Sequence, residues 1–293
     1  MRDRLFLFAI LAGLTCGGAT VAPVQAQALL PHTLKVNFTN LENQGLALAG
    51  DAAQLAQFRQ YELALARAKL AVQLAPQAFQ TQAILGSIYL RQGEYEKAIA
   101  ILNKSYSLKQ DNPAVLFSLG SAYIRIQEYP KAIENIKAGL KIVPKEPTAI
   151  FDLGNAYFLS NRYDEAIEQY EIVTNLDEKF WAAANNIGLV EYERGNQDKA
   201  VRFWEQAVNQ AEKGDEQAAE PKLALAVVLY QAGNRDRALK LGEEALGIDP
   251  RYGKLDFLKE NLWGEKLLDD TKPLLAEETL AEIVAESLPD EEE

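Results

Sequence analysis

Histidine and cysteine occur once each in the 293-residue chain, as His32 and Cys16. These side chains most readily serve as bases, nucleophiles and soft metal ligands near neutral pH. With one of each, a His-based triad has a single candidate for its base, and a histidine or thiolate zinc site has too few ligands. No HExxH, GxSxG or P-loop pattern occurs, and no DxDxDG calcium loop. Carboxylates are plentiful, 42 Asp and Glu against 30 Lys and Arg, so a carboxylate metal site stays open. Nothing else converges on a catalytic constellation. The expectation is a protein that catalyses nothing and needs no cofactor or metal. A net charge of −12 also opposes binding to nucleic acid, whose phosphates are met by basic patches, and electrostatic docking on anionic lipid.

What the chain does contain is a period. Small residues recur at Ala52, Gly86, Gly120, Gly154 and Gly188, each 34 apart, and a second series runs Ala64, Ala98, Ala132, Ala166 and Ala200 at the same spacing. Both series continue after one step of 38, at Ala226 and Ala238. Self-similarity at this length marks a repeat architecture. Within the third copy Leu116, Leu119, Tyr123 and Ile126 fall at helical spacing. Gln127-Glu128 interrupts, Ala132, Ile133, Ile136 and Leu140 resume the spacing, and Pro144 closes the unit. Each copy is thus a helix, a tight turn and a second helix. Glycine costs about 1 kcal/mol of helix propensity against alanine, so its recurrence at one phase implies a close helix crossing. Tyr89, Tyr123 and Tyr157, and Tyr95, Tyr129 and Tyr163 beside the turns, are read as packing between helices.

This pattern resembles the tetratricopeptide repeat, whose consensus places Leu-Gly, Tyr, Gly-x-Tyr, two alanines and Pro along 34 residues; the fourth copy follows it at Leu153-Gly154, Tyr157, Tyr163, Ala166 and Tyr170. Six copies start near Gly45, Phe79, Pro113, Pro147, Trp181 and Ala219. The first departs from the pattern at Asp51-Ala52, the fifth at Glu191, and Glu212–Glu216 carries the insertion. The resemblance implies an all-α, right-handed superhelical solenoid over residues 45–252 with a capping helix at 253–272. It also implies a concave groove lined by the first helices. Carried onto this chain, the groove positions are Arg91, Phe117, Ser121, Arg125, Phe151, Asp152, Asn155, Phe158, Asn185, Asn186 and Tyr192. Aromatics with arginine are the composition of binding hot spots, and Asn155 and Asn185 suit the backbone of a peptide. The phenylalanines have an equal alternative as inter-helix packing. Phe117 and Phe151 stand where a carboxylate clamp would need lysine, which opposes that activity.

The ends carry expectations of their own. Arg2 and Arg4, the apolar run Leu5–Val24 and Val24-Gln25-Ala26 read as a signal peptide cleaved after Ala26, leaving a chain of charge −13. The alternatives are a retained membrane anchor and a lipidated Cys16, which the residues before it fit badly. Residues 27–44, without clear period, are a linker or lead-in helix. Leu255, Leu258, Leu262 and Trp263 form the stripe of the capping helix. Residues 273–293 form an acidic tail, with eight acids and no base from Glu277 to Glu293. It is read as a frayed solvated segment, or as an amphipathic docking helix with Leu280, Ile283, Val284 and Leu288 on one face.

The functional expectation is an exported scaffold in a periplasm or thylakoid lumen that binds other proteins or peptide segments. It would touch a membrane only through an uncleaved N-terminus or a membrane-protein partner. The string FLKENLWGEKLLDDTKPLL is similar to the ends of cyanobacterial tetratricopeptide-repeat proteins, which points toward assembly of photosystems or other membrane complexes. Two other readings stay open: an envelope adaptor for secretion or wall-building machinery, and a carrier of a small ligand or metal.

Overall fold

A computed structural model describes residues 37–213 and 218–287. Among these residues the chain is helical throughout, with no strand. Six helix pairs follow in order: α1 (Phe38–Gln57) with α2 (Tyr61–Leu74), α3 (Phe79–Arg91) with α4 (Tyr95–Leu108), and α5 (Pro113–Arg125) with α6 (Tyr129–Ile142). Then come α7 (Pro147–Leu159) with α8 (Tyr163–Leu176), α9 (Trp181–Glu193) with α10 (Gln197–Lys213), and α11 (Ala219–Gln231) with α12 (Arg235–Ile248). Copies two to six begin at the residues from which the sequence period counts them. The first begins earlier, because residues 38–44 of the lead-in are the first turns of α1. The signal-peptide residues lie outside the described residues.

The turn inside each pair has one backbone solution. Residues 59, 93, 127, 161, 195 and 233 all take positive φ, filled by Arg59, Gly93, Gln127, Asn161, Gly195 and Gly233. The next residue's N–H reaches back to the carbonyl five residues earlier, as in Glu94 to Tyr89 at 3.0 Å and Arg162 to Tyr157 at 2.9 Å. This is the hydrogen-bond closure that ends a helix through a left-handed residue. Both small-residue series are interior: Ala64, Ala98, Ala132, Ala166, Ala200 and Ala238 are fully buried. A Cβ on Gly154 would lie 2.5 Å from Tyr170 Cε1, and one on Gly86 2.7 Å from Leu102 Cγ. The glycines are therefore where a second-helix side chain lies flat on the first helix.

The C-terminal region differs from the expected cap and tail. After a 3₁₀ turn at Pro250–Gly253 come α13 (Leu255–Glu260), α14 (Glu265–Leu275) and α15 (Glu278–Ser287). α14 does not cover the end of the solenoid. It lies on the first helices of copies five and six, where Leu267 N–H donates to Glu193 Oε1 at 3.2 Å and Gln231 Nε2 to the Asp270 carbonyl at 3.1 Å. The end is covered instead by α15, from the segment read as a tail. Leu280 is fully buried against Gly242 of α12, and the partly buried Val284 packs against Gly253. Glu277, the first acid of that segment, accepts from Tyr230 Oη at 2.5 Å and from Arg235 Nε at 3.0 Å. The amphipathic alternative for this segment is the one that forms, and its apolar side packs on the last copy of the chain itself.

Candidate functional site

Between the first helices of copies two to six and the C-terminal segment lies a cavity of about 680 Å³, within the range of ligand pockets. Arg91 and Arg125, the last residues of α3 and α5, reach it exposed. Ser121, Phe151, Asp152, Asn155 and Asn186 line its length. Trp181, Glu220, Tyr252, Glu260 and Leu262 close its far end.

The middle of the cavity is held by a buried amide network. Asn155 Oδ1 accepts from Tyr170 Oη at 2.7 Å and from Asn186 Nδ2 at 3.0 Å; Asn186 Oδ1 in turn accepts from Asn185 Nδ2 at 3.2 Å. With its oxygen used twice by the protein, the Asn155 amide presents its donors to the cavity. Phe151 is fixed at ring distances of 5.5 Å from Tyr170 and 5.1 Å from Phe180. Ser121 Oγ donates to Asp152 Oδ2 at 2.7 Å. Burial raises the Asp152 carboxyl above its ordinary range, while Ser121 and the Arg125 charge pull it back.

At the closed end Glu220 is only 7% exposed. Trp263 Nε1 donates to its Oε1 at 2.9 Å, and Asn185 and Tyr252 also hydrogen-bond to it. Burial outweighs these donors and pushes its pKa to about 7. Tyr170, Tyr192 and Tyr252 are raised by burial as well. Among the described residues no group of three or more His, Cys, Asp or Glu is placed to hold a metal.

Of the groove residues expected from the sequence, Arg91, Ser121, Arg125, Phe151, Asp152, Asn155 and Asn186 line the cavity, and four do not. Phe117 lies against Gly139 of α6, inside its own helix pair. Phe158 is buried beside Tyr163, ring centroids 5.8 Å apart. Asn185 is fully buried and acts through Asn186 and Glu220 rather than on the cavity. Tyr192 is covered by α14: its hydroxyl donates to Asp270 Oδ2 at 2.7 Å and Lys266 Nζ sits 4.6 Å from its ring centre.

Tetratricopeptide-repeat models match residues 117–173, 151–212 and 182–251, and a TPR-repeat model matches 86–127; together they span more than half of the chain. The chain belongs to the tetratricopeptide-repeat (TPR) family. No curated protein matches it in sequence. Solved TPR structures do. A crystal structure of MamA is 26% identical over 55% of this chain and 95% of its own, with a TM-score of 0.51. YrrB, described as a TPR protein with an unusual peptide-binding site, is 21% identical over 60% of this chain and 92% of its own, TM-score 0.50. PilF of Pseudomonas aeruginosa is 17% identical over 76% of this chain and 99% of its own, TM-score 0.61. The last two show the fold alone.

The far wall of this TPR groove was missed by sequence reasoning, because it comes from a segment placed at the solenoid's end. One signal existed. Glu220 and Lys222 are the only charges in the largely apolar helix AEPKLALAVVLYQ, and Lys222 pairs with Glu244 while Glu220 meets no cation.

Proposed function

We propose that this protein is a non-catalytic scaffold that holds a peptide segment of a partner protein in the cavity between its first helices and its C-terminal segment. The observation that carries the reading is Asn155. Its carbonyl is occupied by two protein donors, which leaves its amide hydrogens for an acceptor in the cavity that Phe151 and the two arginines also line. That combination suits a peptide carbonyl flanked by side chains. The described peptide-binding site of YrrB and the fold shared with MamA support it. The finer role is assembly of a membrane complex, with photosystems as the leading case, in a periplasm or thylakoid lumen after removal of residues 1–26. This finer role rests on the N-terminal and C-terminal sequence features alone. The N-terminal mass of the protein from its native cell tests cleavage after Ala26: an intact Met1 on membrane-bound protein overturns it in favour of a retained anchor.

Site-specific photo-crosslinking tests the scaffold reading. A photoreactive residue replacing Arg91, in the cavity, should give a partner adduct in the native cell. One replacing Lys137, exposed on α6, should not. Equal adducts from both positions, or none from Arg91, would overturn the assignment.

A further inference from the structure

We propose that the cavity selects its peptide by charge order, with an acidic residue over copies two and three, held by Arg91 and Arg125, and a basic group at the closed end, held by Glu220 and Glu260. The proposal rests on the reading of the cavity as a peptide site. The copies follow one another along the solenoid, so α3 and α5 bring the two arginines to one end of the cavity and α11 brings Glu220 to the other.

Arg91 and Arg125 hold the same repeat position, and copies four and five carry Leu159 and Glu193 there. The pair of cations is therefore confined to one end. Among the described residues neither guanidinium is in an ion pair, although Arg125 lies close enough to Asp152 to favour its charge. Lysines and arginines elsewhere on the solenoid, such as Lys97, Arg162 and Arg194, are paired with acids at 2.6–2.9 Å. Two fork-shaped donors left open on one face suit a carboxylate.

The opposite end has the complementary deficit. Glu220 is buried, and its three partners, Trp263, Asn185 and Tyr252, are all neutral donors. Glu260 is exposed on the wall that the C-terminal segment gives the cavity. No cation of the described residues touches either carboxylate. Trp181 and Tyr252 line the same end, and aromatic faces attract an ammonium or guanidinium. Asp152, midway, is already compensated by Ser121 and Arg125 and adds little preference. A peptide with the charges in the other order would set base against arginine and acid against glutamate. Charge placement of this kind selects among partners more than it raises affinity. Among the described residues that end of the cavity is lined by no cation for a chain-terminal carboxylate.

Panning a random-peptide phage library on the full chain supplies the probe, and titration calorimetry with synthetic copies of the selected peptides measures it. The selected peptides should carry an acid and a base in one order. Exchanging the two charged residues within a peptide should weaken binding at least tenfold. Arg91→Glu with Arg125→Glu, both exposed and outside the core, should weaken the original peptide at least tenfold and favour a peptide whose acid is replaced by lysine. Glu260→Lys should weaken it through the base. Selected peptides that bind equally after the charge exchange overturn the charge assignment and leave the peptide site standing. A library that yields no binder overturns both.

Discussion

At the C-terminal end of the solenoid Gly242 stands where earlier copies place Leu102, Ile136, Tyr170 and Trp204, and the space it leaves is filled from outside by Leu280 of α15. At the N-terminal end the equivalent pair is Ala52 and Ala68, both fully buried, and nothing described lies over it. There Phe58 is 68% exposed and Leu63 59%. A solenoid copy cannot bury its apolar face alone. One end meets this with a helix of its own sequence. The other shrinks its inner side chains and leaves leucine facing outward. Between the two ends the glycine-facing residue grows from Leu102 to Trp204, and the largest core cluster runs from Ile136 to Leu280. Stability should follow the same gradient, and four substitutions measure it.

The largest effect belongs to the centre. Gly154→Leu drives a side chain into Tyr170, whose hydroxyl is tied to Asn155 and whose ring is fully buried. Overpacking usually costs about 1–3 kcal/mol, and this ring has no free direction, so the loss should exceed ~3 kcal/mol. In a helical circular-dichroism melt the transition should fall by about 6–12 °C on the usual scaling and take neighbouring copies with it. An unchanged melt would show that the glycine is not at a helix contact.

Leu280→Ala comes next. It removes a fully buried side chain that fills the gap over Gly242. Such truncations cost about 2–5 kcal/mol, and here the low end is expected because α15 can shift along α12. If the melt does not move, α15 is a passenger and the last copy is stable without it. Its role was illegible in the sequence for a physical reason. Between Glu277 and Glu293 the acids dominate, and only the docking site, a glycine on α12, explains why the apolar minority decides. The helix pairs were legible because their period repeats over six copies. The cavity's first-helix wall followed from that period, at Arg91, Arg125 and Asn155. Tyr192 failed as a groove residue because a distant segment covers it, and a repeat pattern contains no information about that; Phe158 failed because it packs beside Tyr163 of its own copy.

Glu220→Gln separates the cavity's closed end from the solenoid core. The folded-state pKa of Glu220 is raised to about 7 from 4.5, so the folded chain holds a proton that the unfolded chain releases between those values. Its contribution is fully present below pH 4.5 and is lost as pH rises toward 7. The loss is about 3 kcal/mol at most. Glutamine stays neutral, keeps an acceptor for Trp263, and offers an amide to Asn185 Oδ1, which is buried without a partner. The difference between Glu220→Gln and the native chain should therefore grow in favour of the variant from pH 4.5 to pH 7 and level off above. A flat difference in urea melts across that range would place the proton elsewhere.

The smallest effect tests the open N-terminal end. Leu63 occupies a position that is Lys97, Lys131, Glu165, Lys199 and Arg237 in the other copies; it is the one uncharged residue of the series. Its exposure of 59% leaves little contact to lose, and lysine has a slightly better record than most residues in helices. Leu63→Lys, alone or with Leu70→Lys, should shift stability by less than about 0.5 kcal/mol, the usual range for surface changes. Removing exposed apolar surface should also raise solubility without altering the melt. A loss above ~1 kcal/mol would mean that these leucines are covered in solution. Repeating the melt at a hundredfold lower protein concentration then decides by what. A loss that disappears on dilution belongs to a second copy, because only association depends on concentration. A loss that persists belongs to residues 1–36 of the same chain, and the N-terminal end would then be closed by its own sequence just as the C-terminal end is.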